Sequence, residues 1–289
     1  MRKILPNIPI ALGVFLIVAG LLAQFWAVDQ LARTPLDTDT TTYLGGTVSN
    51  FNADGELEEN PAKAVSRQRV ASGSTDEVVV FDSSLCLMKD IDLPGDCISS
   101  DDPQRRLVTL TEDHFATDRV TGIAVNDAKF VGADPAVEHE GLINKWPFGT
   151  EKKDYPFWDG VTAGPLNAVY EGTDTIDGLD VYKFKTSVSA GPIEIAEETN
   201  GTYFDETEHW VEPVTGQIMR QVKHQERAVG GVLTALVLDL EFTEDQVAKN
   251  VDKAKGDVRK LTLVGTTIPI VFYILGALLL GLGIFLTMR

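Results

Sequence analysis

Positive charge is scarce in this chain: 25 Lys and Arg stand against 43 Asp and Glu in 289 residues, a formal net charge of −18. A surface this acidic repels phosphate backbones, so nucleic acid is excluded as a partner. Histidine is rare and scattered, at His114, His139, His209 and His224, with no pair at the spacing of a zinc-binding helix. A G-x-S-x-G elbow, a P-loop and a glycine-rich dinucleotide turn are all missing, so acyl transfer and nucleotide chemistry have no motif to rest on. The sequence therefore predicts no enzyme and no cofactor. Cysteine is limited to Cys86 and Cys97, 11 positions apart around Pro94-Gly95. With no third thiol they read as one local disulfide, which persists in an oxidising compartment. Two unbonded core thiols are the alternative.

Charge is also absent from two long runs. Residues 8–28 contain one amide, Gln24, and residues 261–287 are uncharged throughout. At 1.5 Å of rise per residue, either run crosses the roughly 30 Å of bilayer hydrocarbon. A cleavable signal peptide is the other reading of the first run, with Arg2 and Lys3 ahead of it. Its length and the bulky Gln24, Phe25 and Trp26 near its end argue for a retained helix. Small residues let helices approach closely, and Ala19 and Ala23 are expected to face Ala277 and Gly281.

Two spans put both termini on one side and the middle of the chain on the other. Counted literally, Arg2, Lys3 and Arg289 are outnumbered by Arg33, Lys249, Lys253, Lys255, Arg259 and Lys260, which would hold the middle segment in the cytoplasm. The rule weakens for long loops and the first helix usually dominates insertion. Together with the cysteine pair, this favours a two-pass plasma-membrane protein. Residues 1–7 and 288–289 are then cytoplasmic, and a domain at 29–243 is extracytoplasmic.

That domain reads as mainly β in an α+β chain, an antiparallel sheet between two terminal transmembrane helices. Asp177-Gly178 separates two apolar runs, a hairpin signal because both central residues of a type I′ turn need positive φ. A second hairpin is expected from Trp210 to His224 around Val214-Thr215-Gly216. Residues 232–242 alternate with period two through Leu236, Leu238, Leu240 and Phe242, as in a half-buried strand. Residues 77–81 and 107–110 are further strand candidates. The polar stretches 34–42 and 52–63 are expected to be loops or linkers near the membrane. From 244 to 260 the period becomes helical, with Val247, Val251, Ala254 and Val258 on one face, so a stalk helix should lead into the second span. Its cations Lys249, Lys253, Lys255, Arg259 and Lys260 suit anionic headgroups. A solvated face balancing an acidic domain is the competing reading.

Asp90, Asp92, Asp96 and Asp101 around Gly95 match a calcium loop in part, though Pro94 stands where a fifth-position ligand belongs. Ordinary turn chemistry accounts for the same residues. The most unusual stretch is 141–160, where Trp146, Phe148, Tyr155, Phe157 and Trp158 crowd around two prolines. These aromatics are the candidates for an apolar groove or a membrane-interface contact, core packing being the plainer reading.

The runs KWPFGTEKKDYPFWD (145–159), YEGTDTIDGLDVYKF (170–184) and HWVEPVTG (209–216) resemble an actinobacterial envelope family labelled porin PorA, a domain of unknown function. The likeness extends over nearly the whole chain. More remotely, the Gly-Leu-x-Val-Tyr-x-Phe hairpin and the helix, ectodomain, helix layout are similar to class B scavenger receptors, which implies lipid handling. Two functions are therefore expected. One is an envelope protein that binds or conveys lipid or another apolar ligand. The other is a structural or accessory subunit of a larger transport or respiratory membrane complex. The bilayer, envelope lipids and other membrane proteins are the partners these readings imply.

Overall fold

A computed structural model describes residues 7–288 apart from 53, 93, 94, 134–136 and 197. The elements run α1 (Asn7–Leu31), β1 (Asp39–Phe51), β2 (Leu57–Val70), β3 (Val78–Lys89), β4 (Leu107–Asp118) and a single turn α2 (Ala128–Val131). They continue through β5 (Tyr155–Asp159), β6 (Gly164–Ile176), β7 (Leu179–Ala196), β8 (Thr199–Val211), β9 (Ile218–Val229), β10 (Leu233–Phe242) and α3 (Glu244–Thr287). They form two compact units, a helical one ending at Arg33 and resuming at Lys255, and a sheet unit at Thr34–Ala254.

In the helical unit, apolar side chains such as Phe15, Phe25, Trp26 and Leu278 project outward rather than into a protein core. Both helices are long and apolar enough to span a membrane. They pair through different small residues from those expected. A Cβ on Gly13 would lie 2.8 Å from the Gly276 carbonyl oxygen, and one on Gly20 would lie 2.7 Å from the Tyr273 ring. Beyond its own helix, no atom of the described residues comes within 4 Å of a Cβ placed on Gly281. The closest approach thus needs glycine on both sides, where alanine would hold the backbones apart. The Tyr273 hydroxyl donates to Gln24 Oε1 at 2.7 Å, giving the one amide of the first run a partner.

The sheet unit is a ten-stranded antiparallel sheet in the order β4-β3-β2-β1-β10-β9-β8-β7-β6-β5. Nearly every neighbouring pair is a sequential hairpin. The exception is β1 against β10, which brings the two ends of the unit together in the middle of the sheet. The sheet curls into a half-barrel. Its edge strands are joined by isolated bridges, Thr117 to Ala124, Ile123 to Leu142 and Leu142 to Phe157.

The Asp177-Gly178 hairpin forms as expected, with Ile176 opposite Leu179 and φ of 46° and 80° at the two turn residues. The strand expected at 232–242 is β10, and the hairpin expected around 214–216 joins β8 to β9. The loop assignment for 34–42 and 52–63 is corrected: Asp39–Phe51 and Leu57–Val70 are long paired strands. Their outward positions carry Thr, Glu, Lys and Arg, which hid the alternation with the buried Leu44, Val48, Ala62 and Ala64. Gly46 permits β1 to press against β10, since a Cβ there would fall 1.9 Å from the Asp239 carbonyl oxygen. The stalk segment is helical, and Val251 and Ala254 bury against Val181, Trp210 and Met219.

Cys86 on β3 is bonded to Cys97 in the following loop. Replacing both by Ser should lower stability by about 3 kcal/mol, the loop-closure value for so short a ring. Quantitative alkylation of both thiols in the unreduced native protein would refute the bond. Converting Asp177-Gly178 to Ala-Ala should cost about 1 to 3 kcal/mol through the two positive-φ positions. An unchanged melting curve would count against that strain.

Candidate functional site

Inward positions of the half-barrel surround a cavity of about 740 Å³, within the ~300–1,000 Å³ range of small-molecule sites. One wall is apolar, built by Leu44, Leu87, Leu236, Leu238, Leu240 and Phe242 from β1, β3 and β10. The next wall, from β8 and β9, is polar: Thr207, His209, Gln221, Lys223, Gln225 and Arg227. Residues 246–253 of α3 contribute Gln246, Lys249, Asn250 and Lys253 at one end.

The aromatic connection closes the barrel near that same end. Its backbone pairs with the β8–β9 turn, where Trp146 N–H donates to the Gly216 carbonyl at 2.9 Å and Thr150 N–H to Pro213 at 2.7 Å. Gly216 has φ of 71°, and a Cβ there would fall 2.1 Å from the Trp146 carbonyl oxygen, so only glycine lets the two segments meet. Glu212 holds the turn, accepting from Val214 N–H, Thr215 N–H and the Thr215 hydroxyl. Trp146 is fully buried and stacks on Phe157 at 4.8 Å and Phe184 at 5.1 Å between ring centroids. Tyr155 is in the same cluster. Of the five aromatics expected to form a groove, Phe157 and Trp158 reach the cavity, Trp146 and Tyr155 are core, and Phe148 lies under the Lys145 ammonium at 3.6 Å.

The remaining expected site residues do not gather there. Asp96 accepts from the Tyr43 hydroxyl and pairs with Lys63 at 3.7 Å. Asp92 accepts from Gln104. Neither Asp90 nor Asp101 joins them: among the described residues no group of three or more His, Cys, Asp or Glu is placed to hold a metal. Part of that loop, Leu93 and Pro94, is outside the described residues. Lys249 and Lys253, read from the sequence as headgroup contacts, stand at the rim of the cavity. Lys255, Arg259 and Lys260 fall in the helical unit and are exposed.

Three cavity groups escaped the sequence reading. His209 is 3% exposed, with Trp146 at 5.0 Å and Phe157 at 5.1 Å, and its Nδ1 has no hydrogen-bond partner among the described residues. Burial, reinforced by the Lys223 charge, lowers its pKa to about 3, so the ring is neutral. Asp205 forms an ion pair with Lys223 and accepts from the Thr207 hydroxyl at 2.8 Å. Lys145 makes no ion pair among the described residues. Its Nζ has only the Thr34 hydroxyl at 3.5 Å and the Phe148 ring. Buried polar atoms without partners among the described residues also include Asn50 Oδ1 and Asn144 Oδ1 on the lining and the neighbouring Trp146 Nε1. Left dry, each costs about 1 to 3 kcal/mol, so the lining is suited to a guest that supplies polar atoms.

The convex face is different in kind. Lys183 pairs with Glu171 at 3.4 Å and Glu208 at 2.9 Å, Lys185 with Glu206 at 2.8 Å, and Arg220 with Glu241 at 3.0 Å. A barrel that crosses a membrane carries its apolar band outside. Over β6 to β10 this sheet carries ions on that face instead. The sequence matches the family described as Porin PorA over residues 5–285. The chain belongs to the PorA family. A "Porin PorA" from Corynebacterium amycolatum is 26% identical over 225 residues, covering 65% of this chain and 58% of that relative. The match thus spans less than two thirds of the relative's length. PorA family membership and the two apolar helices agree in making the chain a membrane protein.

Lys145 gives the site a pH signature. Burial first, then the charge of Lys253, bring its pKa down to about 7, with Asp118 acting the other way. The unfolded chain keeps this amine protonated up to about pH 10.4. Between those values the unfolded state holds more protons, so this group's contribution to stability rises from pH ~7 to ~10 and is lost as pH falls through the folded value. Lys145→Met should therefore raise the melting temperature at pH 6 by at least about 2 °C, with the gain shrinking toward pH 10. A gain equal at both pH values would show that the ammonium carries no burial cost.

Proposed function

We propose that this chain is a membrane-anchored envelope protein whose sheet domain, on the extracytoplasmic side of the plasma membrane, binds or conveys a lipid or similar elongated apolar ligand in the half-barrel. The observation that carries this reading is the inverted polarity of the sheet, with ion pairs outside and a cavity with a leucine-rich wall inside. A domain that only filled space would collapse that wall, because apolar surface left open forgoes roughly 25 cal/mol per Å². The Cys86–Cys97 bond supports the outward orientation, since such bonds persist in oxidising compartments. The family's name speaks for a channel or structural role rather than catalysis. A channel is the second reading, favoured by that name alone.

Native mass spectrometry of the detergent-extracted full chain should find a stoichiometric acyl lipid. Ala64 is buried on the cavity wall, and Ala64→Phe should fill the space at a cost of about 1 to 3 kcal/mol while reducing bound lipid about tenfold. A lipid-free protein that reproducibly retains partner subunits would establish the accessory-subunit role instead. Discrete conductance from the purified chain in a planar bilayer would favour the channel.

A further inference from the structure

The polar wall of the cavity is incompletely matched beside the aromatic connection. His209 on β8 lines the cavity, is 3% exposed, and packs against the rings of Trp146 and Phe157. Its buried Nδ1 takes part in no hydrogen bond among the described residues. Burial keeps the ring neutral, and the Lys223 charge adds to the effect. A neutral imidazole has one nitrogen that donates and one that accepts. Asn144, two positions before Trp146, lines the same cavity. Its amide nitrogen donates to Gln68 Oε1 at 3.1 Å, which fixes the amide's orientation and leaves the buried Oδ1 as an acceptor with no donor among the described residues. Gln221 stands opposite His209 in the β8–β9 register and adds a second amide to the lining.

These groups select by elimination. An acyl chain satisfies none of them, and a buried polar atom left dry costs free energy. A carboxylate brings no proton to Asn144 Oδ1. A cation is opposed by Lys223, whose charge is already felt at His209. A hydroxyl donates and accepts in one group, so it fits either tautomer of His209 and both amides. Water can serve the same atoms in the free cavity, but a ligand hydroxyl serves them while its chain covers the leucine wall.

We propose that the ligand of the half-barrel is a neutral amphiphile whose hydroxyl-bearing head hydrogen-bonds to His209, with its acyl chain along Leu238 and Leu240. This rests on the cavity being a lipid site, and the test separates the two claims. Delipidated full-length protein in detergent is loaded with a fluorescent polyene fatty-acid methyl ester, which monooleoylglycerol and methyl oleate then compete to displace. The two competitors share an acyl chain and differ in their hydroxyls. Monooleoylglycerol should bind about tenfold more tightly than methyl oleate. His209→Phe keeps an aromatic ring against Trp146 and Phe157 but removes both nitrogens, so it should bring the competitors to equal affinity without weakening methyl oleate.

Equal binding of the two competitors by the wild-type protein overturns the head-group assignment while leaving the apolar cavity intact, and this comparison needs no variant to fold. A preference that persists in folded His209→Phe overturns the role of His209. Ionised oleic acid that binds more tightly than monooleoylglycerol overturns the neutral head. If glycerol alone removes the advantage of monooleoylglycerol without displacing the fluorescent ester, the hydroxyl belongs to a free polyol and the amphiphile is overturned. If the fluorescent ester fails to bind and native mass spectrometry finds no monooleoylglycerol on the protein, the cavity reading fails and this inference fails with it.

Discussion

The cross-strand ion pairs of β6 to β10 decide which face of the sheet meets water, and the rest of the sheet unit follows from that choice. Each exposed pair contributes about 0 to 1 kcal/mol, too little to hold the fold together. Their force lies in what they forbid. Moving Lys183, Lys185, Glu206 and Glu208 into an apolar environment would cost several kcal/mol per ion, so the convex face is committed to solvent. The opposite face, with Leu44, Val48, Leu238 and Leu240, must then be withdrawn from water. Among the described residues no second sheet covers it. The sheet instead curls on itself, with Gly46 allowing the tight contact of β1 and β10 at its centre. A curled sheet of ten strands encloses more space than its own side chains fill. The aromatic connection packs one end with Trp146 and Phe157, Trp146 stacking on Phe184 of β7, and the cavity is what remains.

How much of this could be read from the chain depended on whether local chemistry and burial pointed the same way. At Asp177-Gly178 they did, since the turn requires positive φ and the flanking runs are apolar. In β10 the alternation of Leu with Asp and Glu gave both strand and face. The cysteine pair was legible because nothing else could pair with either thiol. In β1 and β2 the outward positions are Thr, Lys, Arg and Glu, and the inward ones include Ala and Gly, so the contrast between faces is weak and the segments read as loops. In β9 the difficulty is greater. Gln221, Lys223, Gln225 and Arg227 point inward while Arg220, His224 and Glu226 point outward, so the strand is polar on both faces. That pattern was itself a signal. A central strand polar on both sides has an interior that is not ordinary core. Lys145 and His209 were invisible for another reason, because their neighbours come from segments far apart in the chain.

The helical unit bears on what kind of membrane protein this is. A pore built from spanning helices needs several of them, with polar faces turned toward a common axis. Here the small-residue face of each helix is used within the chain, Gly13 against Gly276 and Gly20 against Tyr273. The polar side chains Gln24 and Tyr273 are bonded to each other, which leaves neither to line an aqueous path. What the pair turns outward is Phe15, Phe25, Trp26, Ile274 and Leu278, a surface suited to acyl chains. The outer face of the sheet carries ions on β6 to β10 where a membrane barrel carries an apolar band. The helices therefore have the properties of an anchor, and the half-barrel encloses a cavity with one leucine-rich and one polar wall, on which five cations lie inside an acidic protein.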